Sequence, residues 1–245
     1  MSIANIWPFF VSPSIGSLLG SFPTAYIVTK LVAGVDPREF GSGSVSTRNT
    51  IRAAGLWPWG AVTFSVDGIK GMIAAAIVEY LIAPLSDDPL KFTEFYVILC
   101  AIAAVAGHCW MPYLGFKGGK GLGTFAGLFL FLYWPLAIWW FIVMFSMIKL
   151  SGFSGIGACW GAALIAPFMF LIDQFVGLGP FNFGLPLAFW PHIYFNDGLM
   201  GWPFILLYAM GMWLVLTLRH IPEFRKIKRG DAAVWKSLKT TEMLK

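Results

Sequence analysis

The densest concentration of reactive residue types in this 245-residue chain is Gly115-Phe116-Lys117-Gly118-Gly119-Lys120-Gly121, which leads directly into an apolar segment. Lys117 and Lys120 bracket two glycines whose N–H groups no side chain obstructs. Such a turn could form an anion nest at a helix amino terminus, where the partial positive charge adds to the attraction. Phosphate is the anion that suits it. Lysines retained at an inner membrane face would explain the charges, but not four glycines packed around them. The pattern is not a Walker A motif: Lys120 is followed by Gly121 rather than Ser or Thr, and no glycine stands five residues before Gly119.

A second polar island runs from Gly34 to Arg52. Gly41 and Gly43 flank Ser42, so the main chain can approach a ligand closely, and hydroxyls, Asn49, Arg48 and Arg52 offer donors to an oxyanion. Either this is a phosphate or carboxylate site, or it is a flexible Ser/Gly loop whose arginines meet lipid phosphates; composition alone does not separate the two. Asp67 and Lys70 lie three apart and share a helix face, where they can pair. A charge in mid-membrane costs roughly 2.5 to 3.5 kcal/mol, so both are expected to face the protein interior, as paired scaffolding more than as chemistry. His108 and His220 lack a ligand partner at i+3 or i+4, and no metal site is expected. Cys100, Cys109 and Cys159 read as small buried hydrophobes.

The elements that must position these islands are membrane spans. The chain is 58% hydrophobic, 17% aromatic and 12% charged, with a mean hydropathy of +0.74. That excludes an ordinary soluble fold, a disordered chain and a nucleic-acid-binding protein. No Lys or Arg precedes Lys30, so the first apolar run lacks a signal-peptide n-region and reads as a retained span. Runs of membrane length lie at Trp7–Val32, Trp59–Ala83, Phe92–Cys109, Leu122–Trp134, Leu136–Leu150, Ile156–Ile172 and Leu199–Leu218. The expected fold is thus all-α, polytopic, with seven transmembrane helices. Separating the fourth span from the fifth requires a very tight turn at Tyr133, Trp134 and Pro135; the other interpretation is one long bent helix.

Orientation follows from the basic residues. With the amino terminus outside, the inner segments hold Lys30, Arg38, Arg48 and Arg52, then Lys117 and Lys120, then Lys149, then eight residues from Arg219 to Lys245: fifteen of the seventeen. The carboxyl terminus is therefore expected in the cytoplasm, with residues 1–218 forming the membrane domain and 219–245 a basic tail lying against anionic lipid. The outer segment Asp173–Asp197 carries no Lys or Arg; Trp190 and Tyr194 suit interfacial packing.

Taken together, these residues resemble the membrane glycerol-3-phosphate acyltransferases that use acyl-phosphate donors, the PlsY family. A first signature of the form G-S-x-P, a span, then G-x-D-x-R-x-x-G-S-G is matched by Gly20, Ser21, Pro23, Gly34, Asp36, Arg38, Gly41, Ser42 and Gly43, and continues to Asn49 and Arg52. D-x-x-K-G appears as Asp67, Lys70 and Gly71. The second signature is complete in Gly107, His108, Phe116 through Gly121, and Thr124.

The resemblance implies a seven-span protein of the bacterial inner membrane, with the signature loops on the cytoplasmic side. It implies transfer of an acyl chain from acyl phosphate to the 1-hydroxyl of glycerol 3-phosphate, in phospholipid synthesis, with no cofactor. Ser42, His108, Lys120 and His220 would form the catalytic centre, and Gly41, Gly43, Arg48, Asn49, Arg52, Lys117, Gly118, Gly119 and Gly121 would hold substrate phosphate. The implied partners are the two substrates and membrane lipids.

Two signatures depart from the pattern. Ser44-Val45-Ser46-Thr47-Arg48-Asn49 stands where the family has N-x-G-A-T-N, and His220-Ile221-Pro222-Glu223-Phe224 where it has H-R-x-N-I. Arg48 either adds a phosphate ligand or fills the acceptor pocket, and Glu223 brings negative charge toward a dianionic substrate. These departures define the alternatives: a catalytically altered relative serving as a structural or lipid-binding subunit of a larger membrane complex, or an acyltransferase with another acceptor.

Overall fold

The computed structural model describes residues 3–87, 89–168, 171 and 201–231. The segment Asp173–Asp197 and the chain beyond Asp231 lie outside the described residues, so the expectations for the outer segment and most of the tail do too. Among the described residues every regular element is helical. Three stretches are long and apolar enough to cross a membrane: Ile3–Ala33, Leu56–Leu85 and Phe92–Leu114. Two shorter apolar helices are Leu122–Leu132 and Ala137–Ser151. Phe10, Leu31, Leu150 and Met210 face outward on this bundle, the kind of apolar exterior that lipid covers.

The first stretch is broken into α1 (Ile3–Gly20) and α2 (Thr24–Ala33). Pro23 has no N–H to continue the helical ladder, and at the break the Phe22 carbonyl accepts both from Thr24 N–H at 3.0 Å and from Lys70 on another helix. After a short helix, α3 (Thr47–Ala54), the chain enters α4 (Ala61–Ile77), which runs on through Val78–Ile82 and Ala83–Leu85. Next comes α5 (Pro89–Cys109). Small residues let these helices meet backbone to backbone. A Cβ at Gly16 would sit 2.1 Å from the Cys100 carbonyl oxygen, and one at Gly20 2.1 Å from that of Ala104, so α1 and α5 are in direct main-chain contact.

Helical hydrogen bonding continues from Leu122 to Ser151, here α6. A straight helix would separate residues 125 and 140 by about 22 Å. Yet the Phe125 and Trp140 rings meet edge to face with centroids 4.9 Å apart. α6 must therefore bend sharply between its apolar arms Leu122–Leu132 and Ala137–Ser151 while remaining one helical element, a geometry that either reading of this segment demands. α7 (Ser154–Ala163) follows, and α8 (Gly201–Arg229) closes the described chain. One end of the bundle then brings together the end of α5, the start of α6, the start of α7, the last turns of α8 and the loop leading into α3.

Candidate functional site

The floor of that end is a buried triad. Asp67 and Lys70, on one face of α4, pair at 2.8 Å with about 3% and 6% of their side chains exposed. Lys70 Nζ also donates to the Phe22 carbonyl at 2.9 Å and lies 2.9 Å from His108 Nδ1. The expected pairing is thus present, and it reaches a histidine 38 residues away. Burying two charges is tolerable only when each is paired and bonded in this way.

The dilysine turn rests on this floor. Gly119 N–H donates to the His108 carbonyl at 2.9 Å. A Cβ on Gly119 would meet His108 Nε2 at 2.1 Å, and one on Gly118 would meet the His108 carbonyl oxygen at 2.3 Å; this is why both positions are glycine. The outward side of the turn is gripped from α8. Arg219 Nε donates to the Gly119 carbonyl at 2.6 Å and Nη2 to the Gly118 carbonyl at 2.7 Å. Sequence reasoning assigned Arg219 to the basic tail; nothing local signals that its fork closes on two carbonyls a hundred residues away.

The serine loop docks on the same turn, with Val45 N–H donating to the Gly118 carbonyl at 3.3 Å. Gly41 and Gly43 have φ of 49° and 68°, the left-handed region glycine enters without penalty. Asn49 is fully buried; its amide donates to the Ser44 carbonyl at 2.8 Å and its oxygen accepts from Arg52 Nη1 at 2.8 Å. Arg52 lies flat against Gly41, where a Cβ would sit 1.8 Å from Nη1. Ser42 and Ser44 hydroxyls share a hydrogen bond of 2.7 Å. Asn49 and Arg52 thus shape the loop, while Ser42 and Arg48 reach the cavity beside it.

That cavity has a volume of about 480 Å³. Ser42, Arg48, His108, Lys120 and Gly121 border its polar end, and Phe64, Trp140, Phe141, Met144, Phe145 and Ile148 its apolar length. No side chain caps α6 at Gly121, so its uncapped first turn also borders the polar end. Lys120 forms an ion pair with Glu223, whose other oxygen accepts from Gly155 N–H at 3.3 Å. Burial lowers the Lys120 ammonium below its ordinary pKa, against the support of the Glu223 charge. Burial brings the Arg48 guanidinium down to about 10, Arg52 adding to the shift and Glu223 opposing it. Burial pushes the Glu223 carboxyl up, but the charge and hydrogen bond of Lys120, with His220 and Gly155, hold it below the usual range.

Five of the sequence-derived site residues therefore meet at one cavity: Ser42, Arg48, His108, Lys120 and Gly121. Gly41, Gly43, Asn49, Arg52, Gly118 and Gly119 do not line it; they shape and join the two loops that carry Ser42, Arg48 and Lys120. Lys117 is exposed and does not line the cavity. His220 is fully buried behind Lys120, with Nδ1 2.7 Å from the Leu216 carbonyl. Among the described residues, no three His, Cys, Asp or Glu side chains gather as a metal set.

A family model described as glycerol-3-phosphate acyltransferase matches residues 10–230. A glycerol-3-phosphate acyltransferase of Chlorobaculum tepidum is 36% identical over 186 residues, covering 74% of this chain and 78% of that protein. A glycerol-3-phosphate acyltransferase 2 of Moorella thermoacetica is 38% identical over 153 residues, covering 62% and 72%. Among solved structures, the glycerol 3-phosphate form of PlsY, described as an integral membrane glycerol 3-phosphate acyltransferase, superposes with a TM-score of 0.68. It has 22% identity and covers 95% of this chain and 98% of that one, which establishes a common fold.

Proposed function

The chain belongs to the glycerol-3-phosphate acyltransferase family, and from that premise we propose that it transfers an acyl chain from acyl phosphate to the 1-hydroxyl of glycerol 3-phosphate. The observation that carries the proposal is the division of the cavity. Its polar end offers Lys120, Arg48, the Ser42 hydroxyl and the uncapped turn of α6 to anionic oxygens, and its aromatic length suits an acyl chain. The solved PlsY forms with glycerol 3-phosphate and lysophosphatidic acid support this choice of acceptor and product.

The hydroxyl oxygen attacks the acyl carbonyl carbon, the acyl–oxygen bond to phosphate breaks, and the hydroxyl proton ends on the phosphate that departs. The cations neutralise that leaving group, and fixed donors stabilise the tetrahedral oxyanion, so the enzyme need supply no nucleophile. Ser42, His108, Lys120 and His220 act at or beside the reacting atoms; Arg48 holds phosphate, and the glycines, Asn49 and Arg52 frame the loops that present it, while Lys117 stands outside this cavity. Release of phosphate and formation of lysophosphatidate by the purified chain, both lost in Lys120→Ala, is the test.

The same reading takes the chain as a seven-span protein of the bacterial inner membrane, with residues 219–245 as a basic cytoplasmic tail. The five apolar stretches, the sharp bend within α6 and the spacing of Lys and Arg along the sequence support it. One observation favours a second reading, a non-catalytic subunit of a membrane complex: Lys120 is already neutralised by Glu223. Fixed-stoichiometry co-purification with partners and no turnover would select it.

A further inference from the structure

The Lys70 ammonium faces three acceptors: Asp67 Oδ1 at 2.8 Å, the Phe22 carbonyl at 2.9 Å and His108 Nδ1 at 2.9 Å. An ammonium carries three N–H bonds and no lone pair. All three hydrogens are therefore committed, and His108 Nδ1 can only accept. Asp67 Oδ1 is 3.6 Å from Nδ1, too far to take a hydrogen from it. The imidazole proton is confined to Nε2. That atom lies on the ring edge facing Gly119, within 2.1 Å of where a Cβ would stand there. His108 borders the cavity beside Lys120.

His220 is held the opposite way. Its Nδ1 is 2.7 Å from the Leu216 carbonyl, which can only accept, so the proton sits on Nδ1 and Nε2 keeps its lone pair. Nε2 of His220 has no hydrogen-bond partner among the described residues.

We propose that Lys70 is a positioning residue that locks His108 as the Nε2–H tautomer, so that Nε2–H donates to an anionic oxygen bound beside the glycine turn. The identity of that oxygen, a phosphate or acyl oxyanion, rests on the acyl-transfer reading; the lock itself does not. Phe22 matters here because its carbonyl, which also accepts from Thr24 N–H at 3.0 Å, is the third acceptor that orients the ammonium toward the ring.

The test uses the full chain, ¹⁵N-labelled at its three histidines, in lipid nanodiscs, with His192→Gln and His220→Gln variants to assign the signals. Long-range ¹H–¹⁵N spectra at neutral pH are expected to show His108 protonated on Nε2 and His220 on Nδ1. Saturating inorganic phosphate should shift the His108 Nε2–H proton. Lys70→Met should release the single tautomer and lower kcat about 10²-fold, the scale of a misplaced catalytic group, and adding His108→Ala to it should cost little more. A proton on Nδ1 of His108, a His108 signal indifferent to phosphate, or additive losses would overturn the proposal. The wild-type spectra carry the test even if Lys70→Met fails to fold. Locked tautomers and a phosphate shift in a sample without turnover would support the lock and count against the acyl-transfer reading instead.

Discussion

Val45 N–H donates to the Gly118 carbonyl across 3.3 Å, so the serine loop and the dilysine turn form one wall. The bond joins residues 73 positions apart, and the remaining oxygen capacity of Gly118 is taken by Arg219. Cations from both loops border one cavity because this wall is continuous.

Gly119→Ala places a Cβ 2.1 Å from His108 Nε2 and 2.6 Å from the Val45 carbonyl oxygen. The second neighbour is backbone and cannot swing aside. Overpacking of this kind costs about 1 to 3 kcal/mol. Thermal unfolding in detergent should register that loss, and turnover should fall with it.

Arg219→Ala removes two charge-assisted hydrogen bonds to the turn. A hydrogen bond to a charged group contributes about 1.5 to 3 kcal/mol. Arg219→Lys keeps the charge but not the planar fork, so it should recover only part of the stability. Equal melting temperatures for wild type and Arg219→Lys would argue that the grip is only coulombic.

Glu223→Gln keeps an acceptor for Gly155 N–H and removes the carboxylate from Lys120. Anions would then no longer compete with a resident negative charge. Affinity for inorganic phosphate at neutral pH, measured by titration calorimetry, should rise about three- to tenfold, at most ~1.4 kcal/mol. An unchanged or weaker affinity would place Glu223 in the scaffold alone.

The same pair sets a pH dependence. Burial lowers the Lys120 pKa while Glu223 supports its charge. Phosphate binding needs the ammonium, so it is fully present below the Lys120 pKa and lost as pH rises through it. That alkaline limb should begin below the ordinary lysine value of about 10.4. Glu223→Gln withdraws the support, and the limb should move to lower pH.

Much of the site was legible in the sequence because it is written in backbone needs. Glycines at 41, 118 and 119 marked the close approaches, Gly43 marked a left-handed turn, and the i,i+3 spacing of Asp67 and Lys70 gave their ion pair. What eluded sequence reading depends on the rotation of distant helices. The targets of Arg219 and the pairing of Lys120 with Glu223 are set by how α8 turns against α6 and α7, which local spacing does not record. Lys117 shows the converse: its motif position resembles that of Lys120, yet the turn directs it to solvent while Lys120 is drawn inward. A sharp bend near Tyr133-Trp134-Pro135 was legible in both readings of that segment, and the Phe125–Trp140 ring contact within one helical element shows such a bend.

The most direct measurement is a single turnover assay on the purified full chain in nanodiscs, supplied with acyl phosphate and glycerol 3-phosphate. The expected result is equimolar release of phosphate and formation of lysophosphatidate, abolished by Lys120→Ala while the variant remains folded. Equal product formation by wild type and Lys120→Ala, or none by a folded wild type, would contradict a cavity in which Lys120 meets the departing phosphate.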